Sequence, residues 1–409
     1  MVMARRPPST EGVARPDARW SPSEYFALNE AVVASAAMVF VMSLGESLWR
    51  RFIPKYLEVL GAPVTAIGLF GTTEDFLDGI YQYPGGWLGD RLGRRPSLLF
   101  FTGAAGLGYA AYCMAPSWQW IFAGVVLVMA WSSMASPTLF AVIGDALPAN
   151  RRAMGFTVQS IVKRIPVAVG PTVGGAVIGI YGLKAGIHAL LLVSIGLALL
   201  AATAAAFVRV GDVSSDAATI GHVWNRLPPE LRRLLLSDVF IRTCEGMVDV
   251  FLILYATNII GATPAEFGAL LAIQAITSMV IYLPVSRLSD RGRRKPFVTA
   301  TFLFFALFPV AVVLSGGMRG LAAAFVVGGL RELGEPSRKA LIVGMAEPAI
   351  RARTVGLYYL IRSVAISPAA FVGGLLWRID PAVPFFVAAC FGLIGTLVFA
   401  VTVDEEHAG

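Results

Sequence analysis

The stretch Gly85–Pro96, GGWLGDRLGRRP, ends one strongly apolar run and precedes another, and Val285–Pro296, VSRLSDRGRRKP, does the same in the second half of the chain. A charged turn phrase repeated at a fixed offset points to a duplicated architecture. The same shift aligns Gly61-Ala62 with Gly261-Ala262, Pro84 with Pro284 and Asp90-Arg91 with Asp290-Arg291, and nearly aligns Pro137 with Pro336.

Around these phrases the 409-residue chain is 56% hydrophobic and 14% charged, with a mean hydropathy of +0.71. Charge that scarce cannot cover the surface of a soluble protein of this length. Apolar runs of roughly 20 residues, enough to cross a bilayer as helices, recur about twelve times. They fall at 31–54, 64–88, 97–115, 119–146, 153–180 and 184–209, then at 233–259, 264–288, 297–316, 319–346, 353–378 and 382–404. The 42 glycines and 24 prolines suit close helix packing and kinks within a bilayer better than the weak alternation of a β-barrel. The one long polar interruption lies at 210–232 and divides the runs six and six. The expected fold is therefore an all-α polytopic membrane protein with two pseudo-symmetric six-helix bundles, 31–209 and 233–404. Around them lie an N-terminal tail at 1–30, the linker at 210–232 and a short tail at 405–409.

The net charge of +7 raises the prospect of nucleic acid, but its placement excludes that partner. With the N-terminus inside, roughly twenty Lys and Arg fall on one side of the bilayer and about four on the other, the bias that marks the cytoplasmic face. Arg94, Arg95, Arg151, Arg152, Arg232, Arg233, Arg293 and Arg294 are among them. The opening MVMARRPPSTEGVARPDARW lacks an apolar run with a small-residue cleavage site, so it reads as a cytoplasmic tail. Both termini are expected in the cytoplasm of a bacterial-type cell, with the chain a monomer in the inner membrane. Cys113, Cys244 and Cys390 lie within apolar runs without metal-ligand spacing and read as packing residues. No cofactor is expected.

With the turn phrase G-x-L-x-D-R-x-G-R-R between the second and third runs, the chain resembles the major facilitator superfamily of secondary transporters. Here the phrase is Gly86, Leu88, Asp90, Arg91, Gly93, Arg94 and Arg95. Physically, a two-helix hairpin at a membrane surface needs a glycine at its turn, a carboxylate near a helix N-terminus and cations for neighbouring helix ends. Asp90 and Arg94 meet those needs, with Asp145 as partner in the first copy. Asp290, Arg291, Arg294 and Glu347 stand in their places in the second. The resemblance implies that such pairs hold the cytoplasmic side shut; the alternative is that the arginines only fix topology. VGPTVGGAV in the fifth run, with Gly170, Pro171, Gly174 and Gly175, is similar to part of the signature of the family's drug/proton antiporters. Pro166 replaces its expected glycine and follows Lys163 and Arg164, and pure helix packing is the competing reading.

Charges at bilayer depth mark the candidate site, since a central charged residue costs about 2.5–3.5 kcal/mol on insertion scales. Glu46 aligns with Glu245 and Lys163 with Arg362, while Arg331 and Glu332 take the positions of Trp131 and Ser132. Arg242, Glu245 and Asp249 share one helix face, as do Glu74 and Asp78, with Asp75 beside them. Structural ion pairs such as Arg242–Glu245 or Arg331–Glu335 are the alternative.

A carboxylate in a water-accessible cavity at this depth can take up and release a proton, which makes Glu46, Glu74, Asp78, Glu245 and Asp249 the coupling candidates. Lys163, Arg164, Arg242, Arg331 and Arg362 are candidates to hold a carboxylate or phosphate on the cargo. Glu332 joins them in the polar set, and Trp131, Tyr358 and Tyr359 supply aromatic contact. The expected activity is alternating-access transport of a small polar, anionic or zwitterionic molecule or a drug, as a proton-coupled exporter. Import of an organic anion, export of a metal cation held by Glu74, Asp75 and Asp78, and a non-transporting sensor stay open. His188, His222 and His407 lie away from that acidic group, which disfavours transition metals. The lack of a nucleotide phosphate loop, a His-containing metal motif or a nucleophile elbow argues against an enzyme or a primary pump.

Overall fold

The computed structural model describes residues 30–147, 152–208, 228–291, 294–345 and 351–403. Their regular structure is helical, with no strand among the described residues. The helices form twelve antiparallel rods: α1 (Glu30–Val59), α2 (Val64–Arg91), α3 (Arg94–Cys113), α4 (Trp118–Ala146), α5 (Arg152–Tyr181) and α6 (Leu183–Ala205), then α7 (Pro229–Ile259), α8 (Pro264–Arg291), α9 (Lys295–Val313), α10 (Met318–Met345), α11 (Arg351–Trp377) and α12 (Val383–Thr402). This is the all-α polytopic architecture expected from the apolar runs. Eight of the rods are long and apolar enough to cross a membrane on length and composition alone. The other four fall short: α2, α7 and α10 carry charges along their length, and α3 is diluted by glycine, tyrosine and proline.

The repeat extends to backbone irregularities. The tight turns after α1 and α7 both place glycine in the left-handed region, Gly61 at φ 82° and Gly261 at φ 81°. Inside α1, a 3-10 turn at Arg50–Phe52 precedes Pro54, which lacks the N–H that would return a bond to the Arg50 carbonyl. Its counterpart α7 breaks just after Asp249. In α4 the chain opens into a π turn at Ala130–Met134, one turn before Pro137, and α10 is interrupted between Leu330 and Glu335. Polar partners on neighbouring helices take up the freed backbone: the Gly334 N–H donates to the Thr301 hydroxyl at 2.5 Å. These four helices are irregular at matching depth, which is where the charges cluster.

Within each half the helices bury small and aromatic side chains, with Trp49 lying edge-on to Tyr109 and Tyr112. Across the halves, α5 packs on α8 and α2 on α11. The fifth-helix phrase explains the close approach. A Cβ at Gly174 would overlap the Leu48 carbonyl of α1, and one at Gly175 would overlap the Pro264 carbonyl at the start of α8. Gly170 lies against Ser47, and the Pro171 carbonyl meets Gly268.

The helix ends depart from the apolar runs by a few residues, most at the end of α1. α1 runs past residue 54 to Val59, so Arg50 and Arg51 stand well inside a helix rather than at its edge.

Candidate functional site

Between the halves lies a cavity of about 580 Å³, walled by α1, α2, α4 and α5 on one side and by α7 and α11 on the other. Six acidic side chains line it (Glu46, Glu74, Asp75, Asp78, Glu245 and Asp249), along with four basic ones (Arg50, Arg51, Lys163 and Arg242). Helical periodicity brings them there, because Glu46 and Arg50 lie one turn apart, as do Glu74 and Asp78. Arg50 sits 3.2 Å from Glu74 and 3.8 Å from Glu46. The Tyr109 hydroxyl donates to Glu46 at 3.4 Å, and Ser133 donates to Asp78 at 2.7 Å. Trp131, in the π turn, also lines the cavity.

On the other wall Arg242 donates to Glu245 at 2.7 Å and to Glu335 at 3.3 Å, and Arg331 lies 3.7 Å from Glu245. Behind this wall is a second cluster that the sequence reading missed. Arg338 is 1% exposed, bonds Asp238 at 2.6 Å and grips Glu335 through two nitrogens at 2.6 and 2.9 Å. Asp238 is fully buried; it also accepts from the Tyr358 hydroxyl at 3.0 Å and lies 3.6 Å from Arg362. Asp238 stands one turn before Arg242, so extending the stripe Arg242, Glu245, Asp249 backwards would have found it. For Arg338 the signal was its i+3 spacing from Glu335.

The expected anion-holding residues are therefore divided. Lys163 and Arg242 line the cavity, whereas Arg164, Arg331, Glu332, Tyr358, Tyr359 and Arg362 are not part of its lining. Arg331 is instead paired with Glu245 and lies over the Phe305 and Phe308 rings, 5.0 and 4.3 Å from their centroids. Arg362 lies over Tyr359 and beside Asp238. The sequence-based pair Arg331–Glu335 is replaced by Arg331–Glu245 and Arg338–Glu335, since Glu335 lies one turn on, facing Arg242 and Arg338.

The two ends of the cavity differ. Towards the Gly61 end the halves are clasped together. Arg51 pairs with Asp249 at 2.5 Å, Lys55 reaches Asn258, and Asn258 donates to Glu58 at 2.7 Å. Thr172 bonds the Gly268 carbonyl, and the Phe371 N–H bonds Thr72. Towards the Arg94 end the lining continues through Leu139, Phe140, Gln159 and Ser160. There Arg94 ties three helices of one half, at 2.6 Å from Asp90 and 3.1 Å from Asp145. Arg91 lies over the Trp87 ring, and Gly86 faces Pro137. In the second half, Asp290 and Arg291 end α8 and Arg294 precedes α9, while Glu347 lies outside the described residues.

Twelve helices in two repeats around a charged cavity define a secondary-transporter fold. The family model for the Major Facilitator Superfamily matches residues 35–244 and 234–409, and the chain belongs to that family. Relatives include an uncharacterized MFS-type transporter, MJ1317, of Methanocaldococcus jannaschii, 21% identical over 88% of this chain and 91% of its own length. Multidrug resistance protein MdtH of Photorhabdus laumondii is 23% identical over 83% and 86%, and the class C tetracycline resistance protein of Escherichia coli is 26% identical over 50% and 46%. Among solved structures, a POT family transporter in complex with 5-aminolevulinic acid superimposes with a TM-score of 0.76 at 14% identity, covering 93% of this chain and 97% of that one. A D323A mutant of the nucleoside transporter NupG does so at 0.76 and 12%, over 91% and 99%. The chain is thus a multi-pass membrane transporter of this superfamily.

Proposed function

We propose that this transporter is a proton-coupled exporter that moves a small polar organic molecule by alternating access. The observation that carries the reading is the cavity between the halves, lined by ionisable groups from both and clasped shut at the Gly61 end. In this reading the bundles 31–209 and 233–404 rock about it as a monomer, joined by the linker at 210–232. Carboxylates of the lining (Glu46, Glu74, Asp78, Glu245 and Asp249) serve the protons, and the Asp90–Arg94–Asp145 set guards the Arg-rich side. That side faces the cytoplasm of a bacterial-type cell with both termini there, so the clasp at the Gly61 end closes the outward side. Relatives named for multidrug and tetracycline resistance support export. With Arg331 and Arg362 engaged away from the lining, and six acids against four bases within it, a cargo with a positive centre fits better than a purely anionic one.

The test is purified protein in liposomes with an imposed pH gradient and ethidium or tetracycline as reporter. An acidic lumen should draw the reporter inward several-fold over its outside concentration, and a protonophore should abolish the accumulation. Flux that ignores the gradient overturns the coupling, and no flux of any reporter overturns export.

A further inference from the structure

We infer that Asp75 is the anchor for a positively charged centre on the cargo, a protonated amine or quaternary ammonium. Resting on the transport reading above, this assignment adds to it a residue and a chemical class.

The partners of the other cavity carboxylates single Asp75 out. Glu46 and Glu74 share Arg50, Asp78 accepts from Ser133, Asp249 holds Arg51, and Glu245 holds Arg242 and Arg331. Asp75 lines the same cavity, yet no hydrogen bond or ion pair to it is present among the described residues. The charged groups that bear on it most strongly are Glu74, Asp249, Asp78 and Glu245, all acidic. From α7, the side opposite Asp75 is Gly246, where an added Cβ would stand 3.4 Å from its Oδ2. From α11 the cavity wall is Ile366 and Ala370, neither of which can pair with a carboxylate. A carboxylate at membrane depth whose strongest charged neighbours are also acids is retained at a cost of stability unless a ligand compensates it.

The geometry fits a ligand better than a structural partner. The missing side chain at Gly246 leaves room beside Oδ2, where a bulkier residue would crowd whatever the carboxylate holds. Arg50 and Arg51, the cations that α1 contributes to the lining, already bridge to Glu74 and Asp249. A cationic centre entering from the Arg94 end would find this one acid unclaimed, with the Trp131 ring on the same cavity wall for its apolar part.

The experiment compares two dyes on one ring scaffold, rhodamine 6G as cation and fluorescein as anion, by fluorescence polarisation with the purified full chain. Rhodamine 6G should bind at least tenfold more tightly than fluorescein. Asp75→Asn should weaken the cation at least tenfold, while Asp75→Glu keeps it. A smaller loss in the Asn variant, equal affinity for the two dyes, or no rhodamine 6G binding overturns the assignment. Thermal unfolding of the empty protein separates a structural role, because removing an unpaired charge should leave Asp75→Asn no less stable than wild type, and a lowered midpoint counts against the anchor. Loss of cation binding in the Asn variant without pH-driven flux in the wild type leaves the anchor standing and sinks the transport reading. Unchanged cation affinity with intact flux does the reverse.

Discussion

At the scale of single residues, the molecule keeps ions at membrane depth by pairing them, and the pairing is tightest where no cargo can reach. Asp238 and Arg338 are 0 and 1% exposed and contact each other, so removing one takes a short buried ion pair from the other, leaving Arg338 with Glu335 and Asp238 with Tyr358 and the more distant Arg362. Such a loss costs about 3–5 kcal/mol. Arg338→Met should therefore lower the unfolding midpoint in detergent markedly, as should Asp238→Asn. The double variant should lose less than the sum of the two, because the second change removes the partner that the first left short of a contact. Strictly additive losses would show that the two groups are not coupled. The sequence makes such ions visible and their partners invisible. Glu46, Glu245 and Asp249 are legible because an acid in an apolar run is expensive and its spacing assigns a helix face. The i+3 spacing of Glu335 and Arg338 is legible within one helix, but that Arg331 turns to Glu245 rather than to Glu335 depends on the rotation of α10 against α7, and no spacing within one helix encodes that. Arg50 and Arg51 were hidden for another reason: in an apolar run ending at residue 54 they stand near the edge, where a cation is unexceptional, but α1 continues to Val59.

At the scale of elements, small residues set which helices can approach, and two neighbouring glycines of α5 act on different interfaces. Gly174 lies on α1 within its own half, whereas Gly175 lies on the start of α8 in the other half. Adding a methyl group to Gly174 forces α1 and α5 apart in every conformation, and overpacking of this kind costs about 1–3 kcal/mol. Gly174→Ala should therefore lower thermal stability. Gly175→Ala meets its clash only while the halves are closed at the Gly61 end, so it should disfavour that conformer more than it disfavours folding. Cysteine-labelling rates at the exposed tip residue Met114 and at the cavity position Ser132, measured in an otherwise cysteine-free chain, would check this. The expected result is faster labelling of Ser132 from the Gly61 side in Gly175→Ala and an unchanged rate in Gly174→Ala. The fifth-helix phrase announced close packing in the sequence, but its division between an internal and an inter-half contact needed the fold.

At the scale of the whole molecule, the halves meet through a polar clasp that can be undone without unfolding either of them. The Arg51–Asp249 pair and the Lys55–Asn258–Glu58 group join α1 to α7 across the Gly61 end. Arg51 and Asp249 are 47 and 37% exposed at their side chains, so water screens much of their attraction and the pair contributes about 1 kcal/mol or less. A contribution of that size is small against folding, yet about 1 kcal/mol moves a two-state population about fivefold. Asp249→Asn combined with Asn258→Ala should therefore leave the thermal midpoint nearly unchanged while raising the population open at the Gly61 end. Spin labels at Met114 and Leu314, exposed tips on that end in opposite halves, report the change as a distance distribution. In the wild type a single short component should dominate, and the double variant should gain a longer one. If the two distributions coincide, the closed end is held by the apolar packing of α5 on α8 and α2 on α11, and the polar clasp is incidental to gating.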